Sequence, residues 1–120
     1  MFLGIDVGTS EVKVLLLADD HRVIDTAGSA LEISRPHPGH SEQNPADWWS
    51  ATCAALSTLR AKNPVAYAAV RAIGLSGQMH GAVLLDAADR VLRPAILWND
   101  VRSDRECLDM MHELPGLPQL

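Results

Sequence analysis

Asp6, Gly8, Thr9, Ser10 and Lys13 fall within eight residues at the head of the chain, between the apolar runs Phe2 to Ile5 and Val12 to Leu17. Gly8 lets backbone come close to a ligand, and Thr9 and Ser10 add hydroxyl and N–H donors. Such a turn forms a nest for an anion of phosphate size without needing a helix. Asp6, at the end of an apolar strand, suits a hydrated magnesium ion, which keeps most of its waters and takes few protein carboxylates. Lys13 adds a positive charge nearby. The same residues also suit a buried hairpin whose Asp and hydroxyl groups satisfy turn hydrogen bonds. Neither Gly-x-x-x-x-Gly-Lys-Ser/Thr nor Gly-x-Gly-x-x-Gly occurs, so neither common nucleotide fingerprint accounts for the turn.

Two further segments carry polar chemistry. Ser76-Gly77-Gln78-Met79-His80-Gly81 follows an apolar run, and ligands in open α/β sheets gather at the carboxyl ends of parallel strands. Its glycines permit close backbone approach, and Gln78 and His80 suit sugar hydroxyls; a plain polar turn with one histidine is the alternative. In Leu97-Trp98-Asn99-Asp100-Val101-Arg102 an aromatic body beside Asn, Asp and Arg suits a polyol, whose C–H faces pack on rings. The alternative there is a strand end with a surface Arg–Asp pair of little energetic weight.

These segments need elements to position them. Residues 2–6 and 12–18 read as paired strands, and Asp19-Asp20-His21-Arg22 turns the chain into a third over 23–33, an antiparallel meander. Residues 34–43, rich in Pro, His, Gly and Ser, read as a loop. Asn44 as N-cap, Pro45 at the first helical position and Asp47 at the capping-box position start a helix running to Lys62, which Asn63-Pro64 ends. Trp49, Cys53 and Leu56, with Thr52 and Leu59 flanking, predict its packed face. Trp48 and Trp49 stand about 100° apart on the helix, so one packs while the other faces a cleft; Trp49 is the expected core residue. Residues 71–77 read as a buried strand parallel to an earlier one, which makes the sheet mixed. Residues 81–86 and 90–97 predict a hairpin around Ala87-Ala88-Asp89. A helix is expected from Ser103 to His112, broken by the Pro-containing stretch 114–120.

Composition narrows the function classes. The 48% hydrophobic content supports a folded core, and 120 residues suffice for one modest domain. A net charge of −5 with scattered Lys and Arg supplies no basic stripe for nucleic acid. No basic leader or apolar stretch of spanning length precedes the first strand, which predicts a cytoplasmic protein without membrane contact. Cys53 and Cys107 form no Cys-x-x-Cys and read as free thiols in helices. His37 and His40 sit among prolines without partner ligands and read as loop histidines rather than a zinc pair.

The opening Gly4-Ile5-Asp6-Val7-Gly8-Thr9-Ser10 with Val12-Lys13, then Ser34-Arg35-Pro36-His37-Pro38, Ser41-Glu42-Gln43-Asn44-Pro45 and Trp48-Trp49, resembles the start of the FGGY carbohydrate kinases, the glycerol kinase/xylulokinase superfamily. Gly77-Gln78-Met79-His80-Gly81-Ala82 and Arg93-Pro94-Ala95-Ile96-Leu97-Trp98-Asn99-Asp100 with Arg102 resemble its xylulokinase branch. The resemblance implies a ribonuclease-H-like (actin-like ATPase) α/β fold, with a mixed sheet and flanking helices. Residues 1–120 would form the first part of the N-terminal of two such domains, the second being absent. It implies ATP and Mg2+ as cofactors, D-xylulose as substrate, and transfer of a phosphoryl group to the 5-hydroxyl. On these positions it places Asp6 at magnesium, through water, and at the transferring phosphoryl group. It sets Gly8, Thr9, Ser10 and Lys13 at the phosphates, and Gln78, Met79, His80 and Asp100 at the sugar. Glu11 departs from the small residue usual after Thr-Ser; a carboxylate there repels phosphate, so it is expected to point outward. The family's general-base aspartate follows a Gly-rich motif well past residue 120, so the chain by itself is expected to be inactive, and the intact enzyme is compatible with a homodimer. A kinase for another pentulose or a polyol, and a non-catalytic actin-like nucleotide-binding module, are the alternatives.

Overall fold

Along β2 (Glu11–Leu17), Val12, Val14 and Leu16 are buried while Glu11, Lys13, Leu15 and Leu17 lie on the opposite, barer face, the period-two pattern of a half-covered strand. The computed structural model describes residues 1–114. In it β2 is flanked by β1 (Phe2–Val7) and β3 (Val23–Ala30), both antiparallel to it, with Asp6 opposite Lys13. The meander forms because both breaks are short and polar. Gly8 N–H donates to the Glu11 carbonyl at 3.1 Å, and His21, in the left-handed region at φ 65°, closes the second turn.

Helix α1 (Pro45–Lys62) has the expected ends. The Asn44 side chain accepts from Ala46 N–H at 3.2 Å, and Asn63 N–H returns to the Leu59 carbonyl at 3.0 Å before Pro64 opens the short helix α2 (Pro64–Ala68). The packed face meets expectation at Thr52, Leu59 and, partly, Leu56, and differs elsewhere. Ala51, Thr52, Ala55 and Leu59 are buried, whereas Trp49 is 71% exposed and Cys53 is exposed. The small residues let α1 seat closely on β2 and β3, where Leu3, Val14, Leu16, Ala55 and Leu59 make the core. Trp48, not Trp49, packs inward, against Val12, Leu31 and Ala51.

The strand β5 (Ala72–Gly77) joins the other side of β1 in parallel, giving the order β3-β2-β1-β5 and the expected mixed sheet. Asp6 thereby stands between Lys13 and Ser76. Helix α1 covers β2 and β3 but not β5, so Ile73 and Leu75 are 59% and 78% exposed rather than buried.

Two expectations for the rest of the chain are corrected. The stretch read as a loop contains β4 (Glu42–Gln43), with Ser34 bridged to Glu42. The expected hairpin over 81–97 is reduced to two isolated bridges, Leu85 to Val91 and Ala82 to Ile96, closed by an Asp86 turn, while β6 (Ala95–Ile96) pairs with β4 as well. Pro94 has no N–H to extend a ladder, and Ala95 and Leu97 are buried beside β4. Helix α3 (Asp104–Glu113) carries Cys107, and both cysteines are free. Of the break expected over 114–120, Leu114 is the C-cap of α3, and residues 115–120 lie outside the described residues. Among the described residues no helix is long and apolar enough to cross a membrane.

Candidate functional site

The ends of β1 and β5 meet side by side, and most of the polar residues singled out by sequence converge there. Gln78 N–H donates to the Val7 carbonyl at 2.8 Å, continuing the parallel pairing one step beyond the strands. A Cβ on Gly77 would stand 3.0 Å from that same carbonyl, so the close approach needs glycine. At Gly8 a Cβ would stand 2.9 Å from the Glu11 carbonyl and 3.9 Å from Asp6 Oδ2, filling the turn beside the carboxylate.

Asp6 is exposed at the end of β1, and Ser76 Oγ donates to its Oδ1 at 2.7 Å. Ser76 holds this role because parallel register sets it directly beside Asp6. Among the described residues no cluster of three or more His, Cys, Asp or Glu could hold a metal. One exposed carboxylate with its second oxygen toward Gly8 could hold a hydrated ion such as magnesium, but could not cage one. Lys13, 70% exposed, pairs with Glu11 at 3.4 Å. The Glu11 side chain lies across Gly28 on β3, where any Cβ would collide with it, so its charge is directed along the sheet and away from residues 8–10.

A relay of neutral side chains joins the turn to the Gln78 edge. Thr9 Oγ1 donates to Gln78 Oε1 at 3.1 Å and accepts from Trp98 Nε1 at 3.1 Å. Gln78 Nε2 donates to Gln43 Oε1 at 3.0 Å, which also accepts from Trp48 Nε1 at 2.9 Å. Gln43 Nε2 donates to the carbonyls of Thr9 at 2.7 Å and Glu32 at 3.2 Å. Met79, 68% exposed, and His80, exposed in the left-handed region at φ 62°, form the tip beyond Gln78. The Ser10 carbonyl accepts from Leu31 N–H at 2.8 Å, which pins the turn to the end of β3.

Asp100, the fourth residue expected at the sugar, has a side chain 1% exposed and four donors. Arg102 supplies Nε and backbone N–H to Oδ1 and Nη2 to Oδ2, and Ser41 N–H reaches Oδ2 at 2.6 Å. The Arg102 guanidinium foremost holds this carboxyl far below the usual carboxylate range, outweighing burial, with the Ser41 and Arg102 amides adding to it. Arg102 also pairs with Glu42 at 2.7 Å, and Arg93 reaches the same oxygen at 3.0 Å. Arg102 first, then Arg93, lowers the Glu42 carboxyl, and Asp100 with Glu42 raises the Arg102 guanidinium.

Asp6, Gly8, Thr9 and Gln78 are thus brought together with Trp98 beside them, while Asp100 is held in an ion-pair cluster behind. Sequence reasoning gave no role to Ser76, Gln43 or the Trp48 indole. The signal for Ser76 was the parallel register with β1.

Known proteins resemble this chain in sequence and in fold. Residues 1–116 match the N-terminal domain of the FGGY family of carbohydrate kinases. The chain is 50% identical over 115 residues to the xylulose kinase of Escherichia coli K12, an alignment covering 96% of this chain and 23% of that protein. Among solved structures, a xyloylose kinase from Brucella ovis is 53% identical with a TM-score of 0.89, over 94% of this chain and 24% of that one. The xylulose kinase from Rhodospirillum rubrum is 32% identical with a TM-score of 0.86, over 92% and 23%. The chain therefore spans about a quarter of the length of the relatives it matches. The mixed sheet with its helices is the N-terminal part of the actin-like ATPase fold of these kinases.

Proposed function

The chain belongs to the FGGY family of carbohydrate kinases, and from that premise we propose that it supplies the N-terminal part of an ATP-dependent xylulose kinase that phosphorylates the 5-hydroxyl of D-xylulose. The observation that carries the reading is the 3.1 Å bond from Thr9 Oγ1 to Gln78. It sets a turn suited to phosphate beside an edge suited to a sugar, at the ends of adjacent parallel strands. Phosphoryl transfer needs that juxtaposition, since its catalysis is positioning and charge stabilisation.

In this reading Gly8, Thr9, Ser10 and Lys13 face the nucleotide phosphates, and Gln78, Met79 and His80 take the pentulose. Asp6 holds hydrated magnesium, its side chain fixed by Ser76. Magnesium, when bound, offsets negative charge on the phosphoryl group in transfer. Asp100 serves the sugar edge from behind, tying Ser41 to Arg102. None of the residues gathered here is assigned as the general base that takes the sugar proton.

The test is a coupled assay on the protein at its native length, with ATP and a panel of pentuloses and polyols. D-Xylulose is expected to give the highest kcat/KM. Preference for another sugar would move the substrate assignment, and nucleotide binding without transfer to any sugar would overturn the kinase reading.

A further inference from the structure

We propose that Gln43 is a positioning residue whose amide fixes the orientation of the Gln78 amide and so decides which hydrogen-bonding groups the substrate edge presents. The ligand identities rest on the xylulose kinase reading; the relay itself does not. Gln43 is 2% exposed, so it acts through its neighbours rather than on a ligand. A glutamine amide has two N–H donors and two acceptor lone pairs, and here all four are used.

The orientation follows from partners that cannot change role. The carbonyls of Thr9 and Glu32 only accept, so they face Gln43 Nε2; the Trp48 indole only donates, so it faces Oε1. Turning the amide over would set oxygen against two carbonyls and N–H against N–H. Gln78 must then offer its NH2 to Gln43 Oε1, which turns its carbonyl to Thr9, and the Thr9 hydroxyl must donate. At the far end the Trp98 indole, again only a donor, takes a lone pair of Thr9 Oγ1. An indole at each end therefore sets the direction of every bond between them.

What remains unspent defines the site. Gln78 keeps one N–H and one lone pair, a match for a sugar hydroxyl, which both donates and accepts. The Thr9 hydroxyl keeps a lone pair and no proton, so it offers nothing to a phosphate oxygen while the relay stands. The turn then meets the anion through its N–H groups.

The chain has three tryptophans, and each gives one indole N–H resonance in a 15N-labelled sample. Gln43→Met should shift the signals of both Trp48 and Trp98, while that of Trp49, 71% exposed, stays in place. An unmoved Trp98 signal in folded Gln43→Met would overturn the proposal. Should that variant fail to fold, Trp48→Phe decides: it should still move the Trp98 signal, and no movement would count against the relay.

In the protein at its native length, Gln43→Met and Gln78→Met should each raise the KM for D-xylulose about tenfold. The double variant should be no worse than either single one, because Gln43 acts through Gln78. Additive losses would show separate roles and sink the assignment. Absence of sugar turnover in the unaltered protein would defeat the kinase reading alone, since the indole signals report on the relay without it.

Discussion

Glu42 and Gln43 are the two residues of β4, and as strand neighbours they point to opposite faces and serve two unlike networks. Glu42 enters the charged cluster with Arg93, Asp100 and Arg102; Gln43 enters the neutral relay from Trp48 to Trp98. In the cluster Asp100 is met by four donors and fully covered, and nothing is left over for a ligand. In the relay the outer members, Gln78 and Thr9, keep unspent donors or lone pairs at an accessible edge. Of these two networks, the charged one closes on itself, and the neutral one keeps hydrogen-bonding capacity at the proposed site.

The largest effect that would sharpen this contrast is expected at Asp6, at the working end of the edge. Asp6→Asn in the native-length protein should lower kcat by about 10²–10³-fold, the usual scale for removing one group that stabilises transition-state charge. The KM for D-xylulose and the Tm should hardly move. An equal loss of sugar affinity would put Asp6 on the wrong side of the reaction.

On the other face of the comparison, Asp100→Ala should lower the Tm by roughly 10 °C, because it leaves Arg102 mostly covered and short of a partner. Calorimetry checks this, and a Tm within two or three degrees of the parent would show that the cluster is not structural.

A smaller effect separates the networks by pH. Asp100 has its folded pKa depressed below the ordinary 3.8, so the stabilisation is fully present above that value and lost as pH falls from there toward the folded pKa. Glu42 acts in the same direction below its ordinary 4.5. The relay has no titrating member. Tm measured between pH 5 and pH 2 should fall less steeply in Asp100→Asn than in the parent; parallel curves would remove the cluster from the acid response.

The smallest effect is expected at Trp49. Trp49→Gln should change the Tm by under about 3 °C, as exposed substitutions usually do. A large fall would mean that Trp49 packs after all.

What was legible in the sequence was local. The Asn44-Pro45 start, the Pro64 stop, the meander and the Asp86 turn each depend on residues a few positions apart. The seating of α1 was not local. Of the expected face, Thr52, Leu59 and in part Leu56 pack, while the sheet surface offered by β2 and β3 takes the small Ala51 and Ala55 in place of Trp49 and Cys53. The 81–97 hairpin formed only as isolated bridges for a similar reason, since the ladder partner of Ala95 and Ile96 lies at residues 42–43, far upstream. At the proposed site, Asp6, Gly8, Thr9 and Gln78 were singled out by residue type, and they meet in the structure. Gln43 did not, because a glutamine that uses all its bonds in the interior has the same letter as one in a loop. Asp100 looked like a ligand group for the converse reason: nothing in its neighbours told how completely Arg102 and Ser41 would enclose it.

The sequence separations of the site contacts bear on the order in which the molecule assembles. Asp6 meets Ser76 across 70 residues, Thr9 meets Gln78 across 69, and Trp98 meets Thr9 across 89, whereas β1 and β2 are joined by three. Closing a loop costs about 0.6 kcal/mol of chain entropy for each doubling of its length, so the hairpin is the inexpensive step and the docking of β5 the dear one. With Ile73 and Leu75 largely bare, β5 has little apolar burial to offset that cost. Among the described residues the meander with α1 is therefore expected to form the early, protected unit, with β5 the last strand on and the first off. Amide hydrogens of β5 should exchange with solvent well before those of β2. A chain can thus be mostly folded and still lack the edge where Asp6, Thr9 and Gln78 meet.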